Sequence, residues 1–204
     1  MCIRDSANGA PLTFIAVPVP YFAQSIYGSG SIKTIQDLIG KNVGVTSQGG
    51  SSDIALRTFL ARSNIDVSKL KIVYLRDDSA ILAALQGGSV QAAVITSPNT
   101  LRAKQAGLNE VVNMASQHLI TVTNAIYIRK DWAQQHPDMV ENFLKAYIEG
   151  LKIAMTDPTT TKTEISKWAK ISDQTLVNEA YNNQVPLWNP YPLATDAEFQ
   201  NVLD

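Results

Sequence analysis

The stretch Gly49-Gly50-Ser51-Ser52 holds the residue types best suited to chemistry in this chain. A short apolar run, Val43-Gly44-Val45, leads into it, and the apolar pattern resumes at Leu56, Phe59 and Leu60 with helical spacing. If a helix opens near Ser51, its first turn has N–H groups without intrahelical partners and a partial positive charge. Two glycines let a ligand approach that main chain closely, and Ser51 and Ser52 add hydroxyl donors. The chemistry offered is non-covalent capture of a small anion or polar group. An alternative reading of the same residues is an ordinary strand-to-helix turn in which a serine caps the helix.

The elements that position this turn alternate between strand and helix. Phe14 to Val17 reads as a buried strand, and Pro18, Pro20 and Gly28-Ser29-Gly30-Ser31 read as a crossing segment or linker. Lys71 to Leu75 is expected to be a strand and Ser79 to Gln86 a helix closed by Gly87-Gly88. Val90 to Ile95 is a further strand, followed by Asn99 to Ala106 as helix and Glu110 to Met114 as strand. Strands separated by helices of this length imply parallel βα units. The second half becomes helical: after a strand over Ala125 to Arg129, Pro137 suits a first helical turn, and Val140, Phe143, Leu144, Tyr147, Ile148 and Leu151 form one apolar stripe. Helices are expected at about Thr161 to Lys170 and Asp173 to Tyr181, and Thr195 with Glu198 forms a capping box ahead of Phe199, Val202 and Leu203. Trp132 and Trp168 fall on helical patterns and read as core.

Composition excludes several classes. With 17 basic and 18 acidic residues among 204, no basic surface for nucleic acid and no polybasic run for a membrane is implied. The single cysteine, Cys2, rules out an internal disulfide, and no Cys/His cluster suggests a metal site. His118 and His136 lack metal-ligand spacing and read as surface residues. No Gly-x-x-x-x-Gly-Lys-Ser/Thr loop and no Gly-x-Ser-x-Gly elbow occurs, so phosphate-loop and serine-hydrolase chemistry find no motif, and no cofactor is called for.

The order of blocks is informative: Ile32-Lys33-Thr34-Ile35-Gln36-Asp37-Leu38-Ile39-Gly40-Lys41-Asn42-Val43-Gly44-Val45, the Gly-Gly-Ser-Ser turn, then Val73 to Ser79, Leu82 to Ile95, and Ile128 to Trp132 ahead of His136-Pro137-Asp138. From about Pro11 to Asp204 this resembles the nitrate/sulfonate/taurine-type substrate-binding proteins of ABC importers, the NMT1/THI5-like group. The resemblance implies an α/β, two-lobed, periplasmic-binding-protein-like fold of type II, truncated at both ends, with the ligand held in a cleft between lobes. Residues 1–6, Met-Cys-Ile-Arg-Asp-Ser, have no counterpart in the family and resemble a translated adapter remnant. Residues 7–32 would be a remnant of lobe 1 with the first hinge crossing, 33–121 lobe 2, and 122–204 the second crossing with the helical part of lobe 1. The crossings are expected near Tyr21 to Ser31 and Thr121 to Asn124. A signal peptide and the first βα units would precede Pro11.

Open parallel sheets place ligands beyond the carboxyl ends of their strands. Applied to the resembling fold, this selects Gln48, Gly49, Gly50, Ser51 and Ser52 after one strand and Thr96, Ser97 and Asn99 after another. Thr96 to Asn99 reads equally as a plain turn, and Asp78 or Ser79 reads as a helix cap. Tyr21, with Phe22, could stack on a planar ligand or pack the hinge, and Trp188 could line a cleft mouth or cover core.

The resulting reading is an extracytoplasmic, periplasmic solute-binding component of an ABC importer. It would be a monomer that captures a small polar or anionic solute, such as a sulfonate, nitrate, carboxylate or pyrimidine-like compound, and delivers it to the permease membrane subunits. No metal, nucleic acid or covalent step is involved. Two alternatives stay open: the effector domain of a regulator, and a thiamine-pyrimidine-forming enzyme, which in this superfamily uses a cysteine-rich motif that the chain lacks outside Cys2.

Overall fold

The structure is a computed structural model that describes residues 9–117 and 119–193. The leader at residues 1–6, His118, the capping box at Thr195 and Glu198, and Phe199, Val202 and Leu203 lie outside the described residues. Contacts divide the chain into two units, Ala23–His118 and Met1–Phe22 with Leu119–Asp204.

The Ala23–His118 unit is built on a five-stranded sheet. Its strands are β2 (Gln24–Gly28), β3 (Asn42–Val45), β4 (Lys71–Tyr74), β5 (Ala92–Thr96) and β6 (Asn109–Asn113), in the order β4-β3-β5-β2-β6. β3 pairs in parallel with both β4 and β5, as alternating strand and helix require, but β2 runs antiparallel to its neighbours β5 and β6. The sheet is therefore mixed, and the expected crossing over Tyr21 to Ser31 contains a strand. The unit starts at residue 23, where the sequence reading put lobe 2 from 33. Gly28-Ser29-Gly30-Ser31 reads as a crossing segment or linker in the sequence. Held between two strands, however, every residue of β2 is buried and its amide groups find ladder partners on both sides.

Three helices cover this sheet: α1 (Ser51–Arg62), α2 (Asp78–Gln86) and α3 (Asn99–Gln105). Ile81, Leu82 and Leu85 of α2 and Ala103 of α3 pack with Tyr27, Ala93 and Ile95 of the sheet in one core cluster. Side chains alternate between the two faces of a strand, so Ile26 and Val94, opposite each other in register, face the other side. There α1, which packs on β2 and β5, buries Ala55, Leu56 and Leu60. Complete burial of a leucine is worth about 1.5–3 kcal/mol, more than the helix propensity of any residue in α1.

The other unit pairs β1 (Leu12–Tyr21) with β7 (Ile120–Arg129) in an antiparallel ribbon, where the Phe14 and Tyr127 rings meet edge to face at 6.0 Å. Pro18 and Pro20 lie within β1, not in a crossing, and the register shifts between Ala16 and Val19 and again before Tyr21. A proline lacks the ladder donor and is tolerated where the register of the strand breaks. The crossing expected over Thr121 to Asn124 is likewise part of β7.

Helices α4 (Lys130–Gln135), α5 (Pro137–Thr156), α6 (Pro158–Ala169) and α7 (Gln174–Gln184) follow, with Pro137 in the first turn of α5 and the Asp157 carboxylate accepting from Thr159 N and Thr160 N at the start of α6. Of the α5 stripe only Leu151 is buried, and Phe143 and Ile148 are exposed. Trp168 is 75% exposed, its indole N–H donating to Glu164, and Trp132 is exposed beside the His136 ring, so neither is core. A periodic pattern reveals which side chains share a face, not whether that face is covered.

Leu56 is fully buried at the α1–sheet contact. Leu56→Ala is expected to lower unfolding stability by about 2–5 kcal/mol, read as a lower midpoint in equilibrium urea denaturation with an unchanged slope.

Candidate functional site

β3 leaves the sheet at Val45, and the turn that follows is held by its own side chains. Thr46 N donates to Ser52 Oγ at 2.9 Å, and the two hydroxyls lie 2.7 Å apart. Gly49 adopts φ +69°, a left-handed conformation that other residues rarely take. Gly50 N donates to Ser47 O at 3.0 Å. A Cβ on Gly50 would stand 2.5 Å from Ser47 Oγ and 3.1 Å from Ser47 O, so a side chain there requires Ser47 to shift.

Gly50, not Ser51 or Ser52, is the N-cap of α1. Asp53, the third residue of the helix, reaches back to accept from Gly49 N at 2.8 Å and so sets the start one residue earlier than a serine cap would. Having no side chain, Gly50 caps no amide of the first turn. Ser51 is exposed with its hydroxyl available, Gln48 is exposed beside it, and Ser52 is buried and engaged by Thr46. Asp53 is 2% exposed at its side chain and binds Arg57 Nε at 2.9 Å. Burial pulls the Arg57 guanidinium down, but the Asp53 charge and hydrogen bond, with a further bond to Tyr74, hold it above its ordinary value. Arg57 engages the Asp53 carboxylate, which leaves the amides of Ser51 and Ser52 as the attractive feature of this helix start.

The ends of the neighbouring strands are tied in the same way. Thr96, the last residue of β5, donates through N and Oγ1 to Asp78 Oδ2. Asp77 is the cap of α2, accepting from Ser79 N and Ala80 N at 2.9 and 2.8 Å, in place of the expected Asp78 or Ser79. The extended backbone of Asp77, at φ −140° and ψ 161°, puts the helix start there and frees Asp78 to hold Thr96. Arg76 N donates to Thr46 O at 2.8 Å, continuing the β3–β4 ladder past the strand ends. Asn99 opens α3, is buried, and accepts from Arg102 at 2.9 Å.

Gln48 to Ser52 and Thr96, Ser97 and Asn99 thus gather at one edge of the sheet, beyond the carboxyl ends of adjacent strands β3 and β5. Tyr21 and Trp188 belong to the other unit. Tyr21 ends β1 opposite Ile120, and its neighbour Phe22 is buried. Trp188 lines an apolar groove of about 440 Å³ with Pro18, Val19, Tyr147 and Leu151 of its own unit.

Sequence reasoning missed Gln24. It is the first residue of β2, lies opposite Thr96, and is 4% exposed. Its Oε1 has no hydrogen-bond partner among the described residues. Such an atom costs about 1–3 kcal/mol relative to a paired one. A glutamine heading Ser25, Ile26 and Tyr27 is the available signal, hidden where Tyr21 to Ser31 reads as a hinge crossing. Among the described residues no three His, Cys, Asp or Glu side chains gather where they could hold a metal ion, and no helix is long and apolar enough to cross a membrane.

Solved structures of periplasmic binding proteins share this fold. The aliphatic sulphonate-binding protein SsuA of Escherichia coli aligns with a TM-score of 0.79 at 21% identity, over 98% of this chain and 68% of that one. The alkanesulfonate-binding SsuA of Xanthomonas axonopodis pv. citri, bound to MOPS, aligns at 0.76 and 18%, over 95% and 66%. In sequence, the NMT1/THI5-like profile matches residues 2–161, and the chain belongs to that family. Similar relatives are an ABC transporter periplasmic binding protein of Brachyspira hyodysenteriae, 23% identical over 81% of this chain and 46% of its own length, and the riboflavin-binding protein RibY of Chloroflexus aurantiacus, 23% identical over 84% and 48%. The chain spans about half the length of these curated relatives. All four are named as binding proteins.

Asp53 anchors the turn through Gly49 N and Arg57. Asp53→Ala is expected to lower stability by about 1.5–3 kcal/mol, the range for hydrogen bonds to a charged group, measured by chemical denaturation at neutral pH.

Proposed function

We propose that this chain is the capture portion of an extracytoplasmic solute-binding protein of an ABC importer, and that its solute is a small polar or anionic compound bearing an oxyanion, such as a sulfonate, carboxylate or nitrate. One observation carries the reading: α1 begins at the strand-end edge with a glycine cap, so no side chain of the cap occupies the first-turn amides. Those amides and the Ser51 hydroxyl are the donors that an oxyanion needs. Family membership and the two SsuA neighbours support it.

In this reading, binding is orientation without chemistry. Gln48, Gly49, Gly50 and Ser51 form the anion end of the site. Ser52, held by Thr46, keeps the turn in shape before solute arrives, so little ordering entropy is lost on capture. Thr96, Ser97 and Asn99 line the adjoining strand end. The loaded protein works as a periplasmic monomer and hands its solute to the permease membrane subunits.

Titration calorimetry with ethanesulfonate, nitrate and riboflavin tests the reading. A sulfonate or nitrate is expected to bind, and Gly50→Val to weaken that binding at least tenfold, about 1.4 kcal/mol, by closing the approach to the Ser51 and Ser52 amides. A thermal melt of the variant separates this from collapse of the turn. Unchanged affinity removes the start of α1 from the site, and binding of riboflavin alone replaces the oxyanion class with a planar neutral one.

A further inference from the structure

Gln24 occupies a position that neither folding nor the strand-end turn explains. β2 runs antiparallel to β5, so its first residue lies at the edge where β3 and β5 end, directly opposite Thr96. Tyr27, Ala93 and Ile95 face α2 and α3, and alternation therefore turns Gln24, with Ile26, to the α1 side of the sheet. α1 starts at this same edge and packs on both β2 and β5. Gln24 is 4% exposed and its Oε1 accepts nothing among the described residues, although its own backbone carbonyl is paired with Met114 N at 3.0 Å. Neighbouring polar side chains are committed elsewhere: Ser25 to Glu110, Ser52 to Thr46, Thr96 to Asp78 and Asn99 to Arg102. A glutamine in a strand of buried residues, beside polar side chains that already have partners, is an acceptor open to a group that arrives from outside the fold.

We propose that Gln24 is a solute-binding and specificity-determining residue: its Oε1 accepts a hydrogen bond from a hydroxyl, amine or amide N–H of the captured solute while the oxyanion of the same molecule sits on the amides of Ser51 and Ser52. The solute is then bifunctional, an oxyanion at one end and a donor at the other, not a plain alkyl oxyanion. This inference rests on the oxyanion-capture reading and adds to it the second recognition point. A site that accepts from a solute hydroxyl discriminates strongly against the analogue lacking it, because the acceptor is then left buried and unpaired.

Calorimetry with 2-hydroxyethanesulfonate and ethanesulfonate, which differ by one hydroxyl, tests the proposal on the intact chain and on Gln24→Met and Gln24→Glu. The wild type is expected to bind the hydroxylated probe at least tenfold more tightly. Gln24→Met should erase that preference, leaving ethanesulfonate affinity within about twofold and the melting temperature no lower, since methionine fills a similar volume without an unpaired atom. Gln24→Glu keeps an acceptor and should retain the preference while binding both sulfonates more weakly through like-charge repulsion; it also decides the matter if the methionine variant does not fold. Equal wild-type affinity for the two probes, or an undiminished preference in Gln24→Met, overturns the role of Gln24 and leaves oxyanion capture standing. A wild type that binds neither probe at millimolar concentration overturns the capture reading and the inference with it.

Discussion

The insertion of β2 between β5 and β6 is the interaction on which the sheet unit depends. Its ladders on both sides join the parallel strands β4-β3-β5 to β6, and Ile26 and Tyr27, both fully buried, fill opposite faces at the middle of the sheet. Without this strand β5 and β6 would each present unpaired backbone groups, and the cores beneath α1 and α2 would lose their shared floor. The antiparallel direction matters as much as the pairing. It brings the start of β2 to the edge where β3 and β5 finish, so that one edge collects Gln24, Thr46, Thr96 and the start of α1.

That edge is stiffened by short links between strand ends and helix starts. Thr46 holds Ser52, Asp78 holds Thr96, Asp53 holds Gly49 and Arg57, and Asp77 caps α2. In each case a side chain one or two residues past a strand or in the first turn of a helix satisfies a backbone or hydroxyl group that would otherwise seek water. The consequence is an edge whose donors are held in place by the fold itself, the condition that the proposed capture of a solute requires. The donors at this edge are accordingly dipoles and hydroxyls, and the buried Asp53 carboxylate, bound to the exposed Arg57, contributes rigidity.

The second unit shows a different balance. Its two-stranded ribbon carries prolines, its register breaks more than once, and the long helix α5 buries a single residue. The cap at Asp157 and the proline in the first turn of α5 define these helices locally, so their boundaries arise from backbone chemistry more than from packing. Trp188 joins the groove against β1 and α5 because the 3-10 turn at Val185–Leu187 carries the chain to that side of its own unit.

Much of this was legible in the residues themselves. The Gly-Gly-Ser-Ser turn, the helical spacing after it, the prolines at helix starts and the order of strands and helices follow from local rules of φ, capping and periodicity, and these placed Gln48 to Ser52 and Thr96 to Asn99 at strand ends. The resemblance to the family lay in the same blocks. Tertiary structure alone decided what depends on neighbours: that Gln24 to Gly28 is a buried interior strand, that Gly50 and Asp77 are the caps, that Ser52 and Asp78 serve the fold, that Trp168 lies in solvent, and that Gln24 is buried with its side-chain Oε1 unpaired among the described residues. The physical reason is that dihedral preference and periodicity are carried by a few adjacent residues, whereas burial and hydrogen-bond satisfaction are set by whichever distant segment packs alongside.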